Sequence, residues 1–174
     1  MTLYQDWDGV LKAGSYSRAS SSDIVIFGEP NLTTDDLPYG HAVALNANGG
    51  VKKYTATTDV YAGVVVKDVY GGGVAPNNRI VNVAKIGIGD GIRVETVTDQ
   101  TFTRGGKALV VVSGADAGKF TATAAATTLD VGYIVEKIGT NGVIEITLNN
   151  SQVPGAQYRW LLKQAYLQAY LKKR

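Results

Sequence analysis

VKKYTATTDVYAGVVVKDV (residues 51–69) and AGKFTATAAATTLDVGYIVEKI (residues 117–138) are nearly the same phrase written twice. Each begins a strand at a lysine and an aromatic residue, Lys53-Tyr54 or Lys119-Phe120, and continues with Thr-Ala-Thr. Each then reaches a glycine, Gly63 or Gly132, that opens the longest apolar run of its half. The flanks agree too. An apolar strand precedes each copy, GHAVALNA or GKALVVVS, and an asparagine-containing turn leads on to a closing strand, RIVNVAKI or GVIEITL. A four-stranded unit alone has free edges and one bare apolar face, and packing against a second unit removes both problems. Four strands written twice therefore predict an internally duplicated β-domain, and the repeat reads as architecture rather than chemistry.

Outside the repeat the period stays at two. GIRVETV, KALVVVS and GVIEITL are short and rich in valine, isoleucine and threonine, and the turns between strands are NANGG, YGGG, APNN and GTNG. With 21 glycines to make such turns, the expected class is all-β, an antiparallel barrel or sandwich. A chain of 174 residues suits one core. Its 45% hydrophobic content supports a packed interior, and its 18% charged content leaves surface for protein contact. The absence of cysteine excludes disulfides, thiolate metal sites and a cysteine nucleophile. A net charge of +2 is too small to imply a nucleic-acid partner. No apolar run has the length of a membrane span or a signal peptide, so no membrane partner is expected and the protein reads as soluble and not exported. The sequon at Asn31 is then accidental.

Several stretches imitate active sites. VVVSGADAGKF leads a strand into a glycine turn, but it is one residue short of a phosphate loop, has Phe120 where a serine or threonine should hold magnesium, and runs on into a strand. GIGDGI lacks dinucleotide spacing and is expected to be a tight hairpin turn through Asp90-Gly91. His41 is the only histidine, which rules out a histidine-based metal cluster and leaves it as a polar strand residue. Asp35 and Asp36 are adjacent on an extended chain and point opposite ways, so they are expected to start the turn toward Pro38. DWDG at residues 6–9 has two acids but not the rest of a calcium loop. No catalytic constellation, metal site or cofactor is expected.

The two ends depart from the strand pattern. Residues 1–22, with the serine-rich GSYSRASSS, are expected to form an extended arm whose Tyr4, Trp7, Val10 and Leu11 dock on a neighbour. Residues 23–153 form the β-domain. Residues 154–174 change to helix-forming residues after Pro154 and Gly155, and two apolar stripes are expected on that helix. Tyr158, Leu161, Leu162, Ala165, Tyr166 and Ala169 make one stripe; Trp160, Leu167 and Leu171 make the other, which is free for another chain.

YGHAVALNANGGVKKYTATTDVYAGVVVKDV, GDGIRVETVTD, GGKALVVVSGADAGKFTAT and DVGYIVEKIGTNGVIEITLNN together resemble tailed-bacteriophage capsid cement or decoration proteins, over roughly residues 39–149. The resemblance implies a non-enzymatic β-domain on the outside of the phage head, made in the host cytoplasm. It also implies a homo-oligomer, dimer or trimer, that braces neighbouring subunits of the major capsid protein. A receptor- or glycan-binding β-sandwich of a tail or surface structure is the alternative.

Overall fold

The computed structural model describes residues 11–18, 25–67, 74–87 and 89–149. Thirteen strands follow in chain order. The first seven are β1 (Tyr16–Arg18), β2 (Val25–Pro30), β3 (Leu37–Pro38), β4 (Ala42–Leu45), β5 (Val51–Lys52), β6 (Tyr61–Val65) and β7 (Val74–Ala75). The rest are β8 (Ile80–Lys85), β9 (Gly91–Glu95), β10 (Lys107–Val111), β11 (Phe120–Thr121), β12 (Thr128–Ile138) and β13 (Val143–Leu148).

The duplication is visible in the pairing. One sheet runs β2-β8-β6-β4-β5 and the other runs β1-β9-β13-β12-β10-β11. Stripped of β1, the second order is the first with each strand replaced by its counterpart. All the pairs within these sheets are antiparallel, and in each half the pairing shifts register once between the GHAVALNA-type strand and the glycine-led strand, near Val43 and near Ala108. Gly63 lies opposite Val43, and Gly132 takes a left-handed φ of 86°.

The sheets pack face to face through a core drawn from both halves. Ala42, Val64 and Ala84 from one sheet meet Ile92, Val110, Val135, Ile144 and Ile146 from the other. A second core lies on the far face of the first sheet, where the β3-β7 ribbon brings Leu37 and Ala75 over Val43, Val65 and Val83. Strand β6 is covered on both faces, which explains why its sequence is a continuous apolar run and not an alternation. Each fully buried valine contributes roughly 1.5–3 kcal/mol, so the two cores supply most of the driving force.

Three expectations need correction. The sheets do not close into a barrel. Each half makes one parallel bridge toward closure, Asn31 with Val51 and Thr96 with Phe120, and a barrel needs a continuous ladder there. The arrangement is sandwich-like. Nor do the described residues contain a helix, so the class they show is all-β, where all-β with a C-terminal α-helix was expected. The first sheet is already covered on one face by the second sheet and on the other by the β3-β7 ribbon, so its cores form from strands alone. Residues 154–174 lie outside the described residues. GIGDGI is also not a hairpin, because β8 and β9 belong to different sheets and this stretch links the two halves.

The repeated Thr-Ala-Thr has a structural use in each copy. In the first, Asp59 folds back to accept the Thr55 and Ala56 amides at 2.8 and 3.0 Å, and the Lys52 ammonium at 2.6 Å. In the second, Thr121 donates to Gln100 at 2.8 Å and Thr123 donates to it at 3.2 Å. Burial raises the Asp59 pKa, but the bonds from Lys52, Thr55 and Ala56 outweigh it and hold the carboxyl at about 2. A depressed carboxylate stabilises the fold above the unfolded value near 4, and that contribution is lost as pH falls toward 2. Asp59→Asn is expected to lower stability at pH 7 by about 2 kcal/mol and to flatten the stability loss between pH ~4 and ~2. Urea titrations of both proteins across that range check this.

Candidate functional site

The polar residues that could do chemistry gather at the seam between the halves. His41 leads into β4, Glu95 ends β9, and Lys119 closes the turn before β11. His41 Nε2 lies 3.1 Å from Glu95 Oε2, while Lys119 Nζ lies 3.2 Å from Glu95 Oε1 and 3.1 Å from Asp116. The backbone locks the same place, since Ala42 N–H donates to Gly118 at 2.8 Å and Glu95 N–H donates to Gly40 at 3.2 Å. Burial pushes the His41 pKa down against the pull of Glu95, with Lys119 and Lys53 adding to the lowering. For Lys119, bonds to Asp116 and Glu95 outweigh burial and raise its pKa. A histidine-carboxylate pair can activate a nucleophile, but here the second carboxylate oxygen is held by Lys119. The cluster is a polar staple across the seam. The lysine of the phosphate-loop mimic is thereby an ion-pair residue, and His41 is more than an isolated polar strand residue.

A second staple lies deeper. The hydroxyls of Tyr61 on β6 and Tyr133 on β12 are 2.8 Å apart, and their rings meet edge to face at 6.0 Å. Burial raises both phenols. A third comes from the N-terminal stretch. Gly14 N–H donates to Arg93 in β9 at 2.8 Å, and the Gly14 carbonyl accepts from Lys67, just after β6, at 2.9 Å. One segment is thus bonded both to β9 of one sheet and to the chain leaving β6 of the other. Leu11 beside it is 1% exposed, and its carbonyl accepts from the Asn141 amide at 2.6 Å. Residues 11–18, part of the expected arm, sit on the chain's own domain, where β1 pairs with β9.

Asn31 explains the sequon. Its side chain is fully buried, donates to the Asp35 and Pro76 carbonyls, and accepts from Thr33. It organises a loop and is inaccessible to modification. Asp36 likewise caps a turn, accepting the Asn77 amide at 2.9 Å. Among the described residues, no group of three or more histidine, aspartate or glutamate side chains could hold a metal ion, and no helix is long and apolar enough to cross a membrane. Two shallow depressions border the end of β12. The larger, about 500 Å³, is lined by Arg104, Glu136, Lys137, Ile138 and Glu145, and Arg104 donates to Glu136 across it at 2.7 Å.

What remains for function is surface. The expected contact residues Tyr4, Trp7, Trp160, Leu167 and Leu171 lie outside the described residues. The described surface offers an apolar group the sequence reading missed: Val25 and Ile26 on β2 with Ile80 on β8, all exposed. Strand β2 was legible as a β-branched and aromatic run, VIF, stopped by a proline that suits only an edge.

Against known proteins, the sequence model of a family described as XM1 gp53 minor capsid protein matches residues 1–148. The chain belongs to that family. The resemblance to tailed-phage capsid-associated proteins holds, and the XM1 gp53 family is a structural component of a phage capsid and so of the virion. Among solved structures, a chain from "The capsid of Myoviridae Phage XM1" is similar, with a TM-score of 0.66 and 18% identity. The match covers 80% of this chain and 91% of that one, and at this identity it speaks for the fold. No curated protein matches the sequence.

Proposed function

We propose that this member of the XM1 gp53 family is a non-enzymatic cement protein that binds the outside of the phage capsid and braces neighbouring subunits of the major capsid protein. The observation that carries this reading is the family match across residues 1–148. The seam geometry supports it, because the groups that imitate chemistry are engaged in joining the two sheets. The protein acts as a homo-oligomer, dimer or trimer, and the apolar residues Tyr4, Trp7, Trp160, Leu167 and Leu171 contribute contacts to other chains.

A cement works by linkage. A protein that binds only the assembled shell stabilises that state by an amount that grows with occupancy, and an oligomer engaging two shell sites gains further from effective concentration. Shells lacking the protein are expected to rupture at lower temperature or milder salt stress than shells carrying it, and purified protein added back restores resistance. A variant with Trp160 and Leu167 made polar restores it poorly. Equal robustness with and without the protein, together with no binding to shells, overturns the proposal and favours the receptor- or glycan-binding alternative.

A further inference from the structure

The duplication supplies a comparison inside one molecule. Strands β2 and β9 are counterparts, each the first strand of its half and each paired antiparallel to the last. On β9 the outer edge is taken by β1, antiparallel, with Tyr16 opposite Ile92. On β2, no described strand pairs with the outer edge, which is met only past its end, where Asn31 bridges Val51. The unit thus accepts an added antiparallel strand, and among the described residues one of its two copies carries none along that edge.

The edge carries little protection beyond Glu29 and Pro30 at its end. Natural edges are shortened, bulged or charged to prevent strand addition. Strand β2 is six residues long and its register with β8 is unbroken from Val25-Lys85 to Pro30-Ile80. Ile26 is 50% and Ile80 69% exposed on one face, with the Ile80 side chain lying over Gly28, where an added Cβ would be 2.9 Å from it. That is the face on which Ala84, opposite Ile26, enters the larger core. On the other face, Val25 is 57% exposed, and the Lys85 ammonium sits 5.7 Å from the centre of the Phe27 ring.

The charges indicate what fills the edge. On the Val25-Phe27-Glu29 face, the cation Lys85 stands at the start of β2 and the anion Glu29 near its end. Reversing the strand exchanges the two positions. An antiparallel second copy centred on Phe27 therefore brings each Glu29 toward the other copy's Val25-Lys85 corner, twice over, and sets each Ile26 opposite the other copy's Gly28. We infer that β2 is a self-pairing edge: two copies of this chain join antiparallel through β2 about a two-fold axis, making one continuous sheet from their two five-stranded sheets. The inference rests on this edge and not on the capsid role, and its test uses free protein.

The test is sedimentation of the full chain over a concentration series, with exchange of the outward-facing β2 amides, those of Ile26 and Gly28, alongside. The natural protein is expected to form a concentration-dependent dimer in which the β2 amides exchange slowly, and dilution is expected to release them. Ile26→Lys places a charge at the seam and is expected to weaken dimerisation by about tenfold or more with unchanged circular dichroism. Glu29→Lys alone is expected to weaken it similarly, since it sets lysine against Lys85. The double variant Glu29→Lys with Lys85→Glu restores it, because the swapped pattern is again self-complementary. A natural protein that stays monomeric with fast-exchanging β2 amides overturns the inference, as does a dimer indifferent to all three variants. So does a double variant no better than Glu29→Lys.

Discussion

Gly63→Val is expected to cost more than about 4 kcal/mol and to leave little folded protein near 37 °C, a loss seen for single substitutions only when a specific site is violated. A Cβ at Gly63 would lie 2.6 Å from the Ala84 carbonyl oxygen and 2.6 Å from Val83 Cγ1. Both belong to β8, whose pairing with β6 aligns Val64 with Ala84 and Val65 with Val83. A backbone oxygen cannot swing aside as a side chain does, so relief means separating two central strands whose other faces are packed. Gly49 is the control. It has a left-handed φ of 95°, yet an added Cβ there meets nothing within 4 Å. Gly49→Ala is expected to cost only the ~1–2 kcal/mol of the strained backbone. Urea denaturation of the two variants side by side checks the contrast, and a Gly63→Val protein as stable as the control overturns the argument.

The second large effect belongs to Leu11. Its side chain is 1% exposed and packs against Gly139, where an added Cβ would come within 2.9 Å of Leu11 Cγ. Leu11→Ala is expected to lose about 2–5 kcal/mol, the usual range for emptying a leucine site that cannot collapse. Removal of residues 1–18 should lose more, since β1 and the Gly14 bonds to β9 and to the chain leaving β6 go with it. Thermal unfolding of the free protein measures both. A melting temperature unchanged by the truncation would mean that residues 11–18 act only on a partner.

Much of the fold was legible because the strands obey local rules. The matching order of GHAVALNA, KYTAT, YAGVVV and RIVNV against GKALVVV, KFTAT, VGYIVEKI and GVIEITL foretold two equivalent four-stranded units, and the pairing gives both the same strand order. What escaped depends on distant partners. GIGDGI has the composition of a hairpin turn, and only the partners chosen by β8 and β9 make it a crossover. Leu11 reads as a docking residue of a serine-rich arm, without a period to mark it as core, so its burial in the chain's own domain could not be read locally. The His41-Glu95-Lys119 staple joins residues far apart in sequence and carries no motif. Strand β3 is Leu37–Pro38, two residues inside what reads as a turn, and it becomes a strand only because β7 arrives to pair with it. Sandwich versus barrel likewise turned on one bridge per half, below the resolution of any residue pattern.

The Gly14 clasp also has a mechanical meaning. A pull on the N-terminal segment reaches the domain at a peptide whose amide is tied to β9 and whose carbonyl is tied to the chain leaving β6. Tension is divided at that point between the two sheets, so neither is peeled from the other one bond at a time. Release requires the seam bonds to fail together, as a rivet through two plates fails only when both let go.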